Sequence, residues 1–307
     1  RLMRAAIDEM QAAGVTFSAL GGQRQRYAYD GYEPAGYENH IFLSRENLSK
    51  SFGRQCFTDP SLGEITRDPA PVLSELYAIY EASHPWLART PEDWLLISGS
   101  WDGRQVYVYR QDGVTTGYLI AEASGNERQI QEFAVTNPDD TLPFLTAFIG
   151  AEDIDTVYIN LPIWQANLAT RILDIAEGYR ITAALKILVL DWRTLLQQTM
   201  ELQAQLRGLS DGQLRLQITD LPEGLEAQDL LMTVTDGKPQ VEALSPAHTT
   251  TPTTPTVTLS YSRAVRFLWS PAMQGLGRGD LPGGEYRLLN THGWFPLPFA
   301  YLPADRV

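Results

Sequence analysis

The paired glycines at positions 21 and 22 constrain this chain more than any other feature. They close the apolar run 15–20, which reads as a strand, and open it into a turn. Tyr27 follows, then Gly31 four residues later, then Tyr32, and Pro34 forces the backbone out of any helix. A short helix ending at Gly31 turns Tyr27 back over the strand end with its hydroxyl toward a cleft. Tyr29 and Tyr32 read as half-buried packing aromatics. The same reading is open to Tyr27, but the rest of the chain favours a chemical role for it.

At 307 residues the chain is too long for one ordinary domain, and two or three are expected. Its hydrophobic share of 44% is ample for packed cores. The single cysteine, Cys56, excludes an internal disulfide framework and suits a reducing cytoplasm. His40, His84, His248 and His292 stand in no metal-ligand spacing, so no metal is expected. No apolar run approaches the ~18 residues of a membrane span, and no segment reads as a signal peptide. Residues 51–190 carry nine basic and nineteen acidic side chains, hence ten of the thirteen net negative charges. That distribution argues against nucleic acid as a partner. It suits a cleft that attracts cationic, amine-bearing molecules, and equally an acidic surface that only keeps the chain soluble.

In chain order, residues 2–13 have helical spacing closed by Gly14, and 38–43 follow the glycine turn as a further strand. Residues 44–64 read as a linker, with Asp59-Pro60 as a turn. Asp68 caps a helix whose apolar face holds Val72, Leu76, Ile79 and Tyr80, and Arg89 to Trp94 reads as another helix start. A hairpin follows, 105–110 and 114–121 around Asp112-Gly113. Then come a strand over 128–135, a helix over 142–149, a strand over 156–160, a helix over 164–177 and one long strand over 181–190. The last third begins with Asp191 capping a helix. A strand over 213–220, a hairpin around 236–239, a strand over 256–260 and a helix over 262–269 complete it. The Thr/Pro stretch 249–255 is placed as a loop, and 275–284 as a glycine-rich loop.

The pattern Tyr27-x-x-x-Gly31-Tyr32-x-Pro34-Ala35, after a strand and a glycine turn, resembles the end of the acetyl-CoA site in GNAT N-acetyltransferases. More narrowly, the order of the segments resembles the enhanced-intracellular-survival (Eis-like) family, with two GNAT-type domains and a sterol-carrier-like C-terminal domain. The resemblance implies an α+β fold of tandem GNAT-like mixed α/β sheets, the first incomplete at its N-terminus, followed by a sterol-carrier-like α+β domain. The expected boundaries are 1–58, 59–187 and 188–307. The family's loop Arg-x-x-Gly-x-Gly/Ala, which wraps a pyrophosphate with helix N-terminal amides, is expected ahead of residue 1, with Arg1 and Leu2 its last remnant. Cofactor contacts are thereby implied for Arg1, Leu2, Gly22 and Tyr27. In the second copy, Gly178-Tyr179 echoes Gly31-Tyr32, but Asp174 stands where a tyrosine is expected, and Asn137-Pro138-Asp139-Asp140 precedes the helix that would hold the pyrophosphate. Two carboxylates there repel a pyrophosphate, so this copy reads as degenerate.

Acetyl transfer from a thioester to an amine needs a neutral amine, a donor for the developing oxyanion and a proton for the departing thiolate. A phenol of pKa ~10 can protonate a thiolate whose thiol pKa is about 8.5. The resemblance gives that role to Tyr27 and gives the base to the C-terminal carboxylate, here Val307. Two functions stay open. One is an acetyl-CoA-dependent N-acetyltransferase acting on cationic small molecules of aminoglycoside-like or polyamine-like kind, as a cytoplasmic homo-oligomer, a hexamer by resemblance. The other is a catalytically silent binding or scaffolding protein.

Overall fold

The computed structural model describes residues 2–21, 27–83, 88–90, 103–183, 185–244, 254–270 and 292–300. The first segment holds helix α1 (Leu2–Ala12), strand β1 (Phe17–Leu20) and strand β2 (Glu33–Ala35). The second holds β3 (Glu38–Ser44), α2 (Arg45–Phe52), β4 (Glu64–Thr66), α3 (Leu73–Ser83), β5 (Arg104–Gln111), β6 (Val114–Ser124), β7 (Glu127–Val135), α4 (Thr141–Glu152), β8 (Thr156–Pro162), α5 (Ala166–Leu173) and β9 (Gly178–Thr182). The third holds β10 (Leu185–Val189), α6 (Trp192–Arg207), β11 (Gly212–Thr219), β12 (Gln228–Thr235), β13 (Lys238–Ala243), β14 (Thr256–Ser260) and α7 (Tyr261–Trp269).

The chain forms two compact units, one from Arg1–Tyr37 with Ala183–Ala300 and one from Glu38–Thr182. Strand pairing explains the division. In the first unit β10 lies between β1 and β2, antiparallel to both, with Phe17 opposite Val189 and Leu185 opposite Ala35. In the second unit β3 lies between β8 and β9, again antiparallel to both, with Ile41 opposite Ile159 and Tyr179. The boundaries expected at 58 and 187 cut differently: the first separates β3 from its partners, and the second falls inside β10. Similarly, the long strand expected over 181–190 is two strands in two sheets. Its first part is an exposed edge, whereas Ile187, Leu188 and Val189 are fully buried at the centre of the other sheet.

The seven-stranded sheet runs β4-β5-β6-β7-β8-β3-β9. The predicted Asp112-Gly113 hairpin is present, both residues having positive φ (49° and 80°), as its right-handed twist requires. Helices α4 and α5 cover one face through Phe144, Leu145, Phe148, Leu168 and Ile172. On the other face α3 packs Leu76, Ile79 and Tyr80 against Val106, Val108, Tyr118 and Ile120. The linker expected over 44–64 is instead helix α2 followed by two 3-10 turns. Ser44 Oγ accepts from the Asn47 N–H at 3.2 Å, and Asp59 caps Ser61 at 2.9 Å. Leu48, fully buried, is the apolar anchor that holds this helix down. The helix expected over 164–177 is shorter, because 163–165 form a 3-10 turn and Asp174 is already the cap.

In the first unit the four-stranded sheet runs β13-β12-β11-β14, with β11 and β14 parallel. Asp191 Oδ1 accepts from the Thr194 N–H at 3.0 Å and starts α6, as its sequence position predicts. Ile7, Tyr32 and Ala35 share one continuous core with β10, α6, α7 and the four-stranded sheet. The large side chains Trp192, Trp269 and Trp294 fill it. The helix start at 91–94, most of the 249–255 stretch and the loop 275–284 lie outside the described residues.

Candidate functional site

The segment after β1 ends in a specific helix-stop geometry. Tyr27 leads into a 3-10 turn, Ala28–Asp30, and Gly31 terminates it with φ 87°. The Tyr32 N–H donates to the Tyr27 carbonyl at 3.2 Å and the Gly31 N–H to the Ala28 carbonyl at 3.1 Å. This pair of bonds is the Schellman arrangement, which brings the residue after the glycine against the residue four places before it. Accordingly the rings of Tyr27 and Tyr32 meet edge to face, centroids 6.2 Å apart at 65°. A methyl group at Gly31 would overlap the Pro222 ring and crowd Leu188, so no larger residue fits there.

The tyrosines of this stretch differ in what holds them. Tyr32 is 1% exposed, and its hydroxyl and Ser18 Oγ are hydrogen-bonded at 2.9 Å. Burial pushes its pKa up, so it stays protonated at neutral pH. Tyr27 is half-buried, and its hydroxyl makes no hydrogen bond to another described residue. Tyr29, expected to be half-buried, is 94% exposed, because a three-residue 3-10 turn points it away from the core. Next to Tyr32, Glu33 accepts from Arg266 Nε at 2.9 Å, and the Tyr261 hydroxyl accepts from the Val189 N–H at 3.0 Å. Neither Ser18 nor Arg266 stands out in the sequence, since each acquires its partner only through the sheet and helix packing.

Of the other residues singled out from sequence, Leu2 sits in the first turn of α1 with its side chain 87% exposed. Arg1, Gly22 and Val307 lie outside the described residues. Among the described residues no group of three or more His, Cys, Asp and Glu is placed to hold a metal, and no helix is long and apolar enough to cross a membrane.

In the second unit the approach to α4 has different chemistry. Asn137 Oδ1 caps the Asp139 N–H at 3.1 Å, and Asp139 and Asp140 crowd the entry to α4. Burial, then the neighbouring Asp139, pushes the Asp140 carboxyl above its usual range. Asp139 is paired with Arg171 at 2.6 Å, and the carboxylates here place negative charge where an anion would sit. Beside them, the parallel strands β7 and β8 pair only from Glu127 opposite Thr156 to Ile130 opposite Ile159. Farther on, side chains bridge them. Asn160 Nδ2 donates to Gln131 Oε1 at 3.1 Å, and Gln165 Nε2 donates to the Phe133 carbonyl at 2.7 Å, all three side chains being buried. Amides from β8 and from the turn after it thus reach across to β7. No motif marks these glutamines, which is why sequence reasoning missed them.

A cavity of about 500 Å³ in the same unit is lined by Phe52, Gln55, Cys56, Asp59, Pro143 and Thr146. Burial pushes the Cys56 thiol up, so it is a neutral wall rather than a nucleophile.

No protein-family model and no curated protein matches this sequence. Solved structures do. A GCN5-related N-acetyltransferase from Kribbella flavida superposes with a TM-score of 0.60 at 18% identity, covering 95% of this chain and 72% of that one. One from Anabaena variabilis gives 0.60 at 17% identity, covering 98% and 75%. Eis1 from Mycobacterium abscessus gives 0.56 at 15% identity, covering 97% and 76%. At these identities the likeness establishes the fold, which this chain shares with them over nearly its whole length.

Proposed function

We propose that the chain is an acetyl-CoA-dependent N-acetyltransferase whose chemistry is carried by the first unit, with Tyr27 as the general acid. The observation that carries this reading is the contrast among hydroxyls. Tyr32, Tyr109, Tyr118 and Tyr261 are hydrogen-bonded to Ser18, the Leu62 carbonyl, Glu132 and the Val189 amide, whereas Tyr27 is clamped by its ring with its hydroxyl bound to no described residue. A phenol held in this way, at the start of a turn between two strands, is suited to deliver a proton to a departing thiolate. The fold likeness supports the reaction class. The cationic, amine-bearing substrate of polyamine-like or aminoglycoside-like kind follows from the family resemblance, since most of the net negative charge lies in residues 51–190, largely outside the first unit. In the same reading Arg1, Leu2 and Gly22 contact the co-substrate, the Val307 carboxylate is the base, and the protein works in the cytoplasm as a homo-oligomer. Acetyl-CoA binds only in the first unit, because the carboxylates at α4 and the amides bridging β7 and β8 oppose it in the second. The three structural units proposed from the sequence, 1–58, 59–187 and 188–307, divide the chain differently from its two compact units.

The test is Tyr27→Phe in the full-length protein, with acetyl-CoA and a polyamine as substrates and released thiol as the readout. Turnover should fall by about 100-fold or more while acetyl-CoA affinity stays close to normal, since the hydroxyl acts chiefly once charge develops on sulfur. Normal turnover in a folded Tyr27→Phe protein returns Tyr27 to packing. Absence of turnover in the unmodified protein would favour the silent binding reading.

A further inference from the structure

Tyr32 lies behind Tyr27 and holds three separate grips. Its N–H donates to the Tyr27 carbonyl, its ring meets the Tyr27 ring edge to face, and its hydroxyl is bonded to Ser18 Oγ at 2.9 Å. Ser18 belongs to β1, where it pairs with Leu188 of the central strand β10. The Schellman bonds and the Pro222 ring against Gly31 fix only the backbone of the turn. They leave both torsions of the Tyr27 side chain free.

We infer that Tyr32, anchored through its hydroxyl to Ser18, is a positioning residue that fixes the direction in which the Tyr27 phenol leaves the turn. The inference rests on Tyr27 being the general acid. Tyr32 supplies a rigid wall because it is 1% exposed and tethered at its far end, so its ring cannot pivot when the Tyr27 ring presses on it. A reacting group misplaced by about 1 Å costs up to about 100-fold in rate, so an untethered wall has a measurable cost. The sequence gives no hint of this function, because a buried tyrosine beside a glycine reads as packing.

The experiment measures kcat, KM for acetyl-CoA and thermal stability of the full-length protein carrying Tyr32→Phe or Ser18→Ala. Each is made alone and combined with Tyr27→Phe. Expected for each single variant is a kcat lower by about threefold to tenfold with KM and melting temperature close to normal. In the Tyr27→Phe background the same changes should have no further effect, since there is no hydroxyl left to aim. Tyr29→Phe, at a 94% exposed position, is the control and should leave kcat unchanged. An equal fold-loss in both backgrounds means that Tyr32 acts independently of Tyr27 and overturns the inference. So does an unchanged kcat in both single variants. A Tyr27→Phe protein with full turnover is a distinct outcome, which removes the general-acid reading and this inference together.

Discussion

At Gly31 two demands meet: a φ of 87° and a proline ring packed against the α-carbon. Either alone excludes most side chains. Gly31→Ala meets both, the left-handed backbone costing about 1–2 kcal/mol and the overlap with Pro222 about 1–3 kcal/mol. Chemical denaturation should therefore find the variant roughly 2–5 kcal/mol less stable, and wild-type stability would mean that the turn is not built this way. The sequence spacing Tyr-x-x-x-Gly-Tyr made this helix stop legible, because the Schellman geometry is local and depends on six consecutive residues. What the spacing did not contain is the tether to Ser18, the Pro222 wedge, or the exposure of Tyr29. The first two depend on partners delivered by the sheet and by the loop after β11.

Among the elements, β7 and α4 show how a polar residue in a strand or helix gains its meaning from its neighbours. Glu132 in β7 is fully buried, yet Arg89 binds both its oxygens at 2.9 and 2.8 Å and the Tyr118 hydroxyl donates to it at 2.5 Å. At the end of α4, Glu152 is only 3% exposed in its side chain and is gripped by Arg67 and Arg128, the latter at 3.0 Å. Burial alone would raise the Glu152 pKa. The hydrogen bonds from Arg67, Tyr107 and Arg128 outweigh it and hold the carboxyl below its usual range. A carboxyl with a lowered folded pKa adds stability that is present above its unfolded value, about 4.3, and is lost as pH falls through the folded value. Glu152→Gln should thus lower stability at pH 7, and its deficit relative to the parent should shrink as pH falls below about 4. Thermal melts across pH 3–7 test this, and a deficit constant with pH would show that the carboxylate charge contributes nothing. The extents of β7 and α4 were readable from alternation and from helical spacing. The bulge that aligns Ile120 with Glu132 and Ala121 with Ile130, and so sets where Gln131 and Glu132 point, was not.

For the whole molecule, the informative comparison is between order along the chain and order in the sheets. A fragment 38–182 contains every strand of the seven-stranded sheet, whereas 59–187 lacks β3 and leaves β8 and β9 with no common neighbour. The longer fragment should unfold cooperatively and stay monomeric, and the shorter one should aggregate or remain uncooperative, as circular dichroism and sedimentation would detect. Two equally stable fragments would argue against β3 as the central strand of that region. Most of the elements, including the hairpin and the cap of α6, could be read from local patterns. Strand neighbours could not, because alternation states that a segment is a strand without stating whose partner it is.

The placement of β10 between β1 and β2 also sets a schedule for synthesis on the ribosome. Both outer strands are made by Ala35, but their shared partner begins only at Leu185. At roughly 5–20 residues per second, a gap of about 150 residues lasts on the order of 10–30 s. During that interval the seven-stranded sheet receives its last strand, β9, and can close, while β1 and β2 wait with their inward edges open. Nascent chains stalled between residues 37 and 185 are consequently the species that most need chaperone cover, and the turn carrying Tyr27 is among the last parts of the first unit to take its final shape.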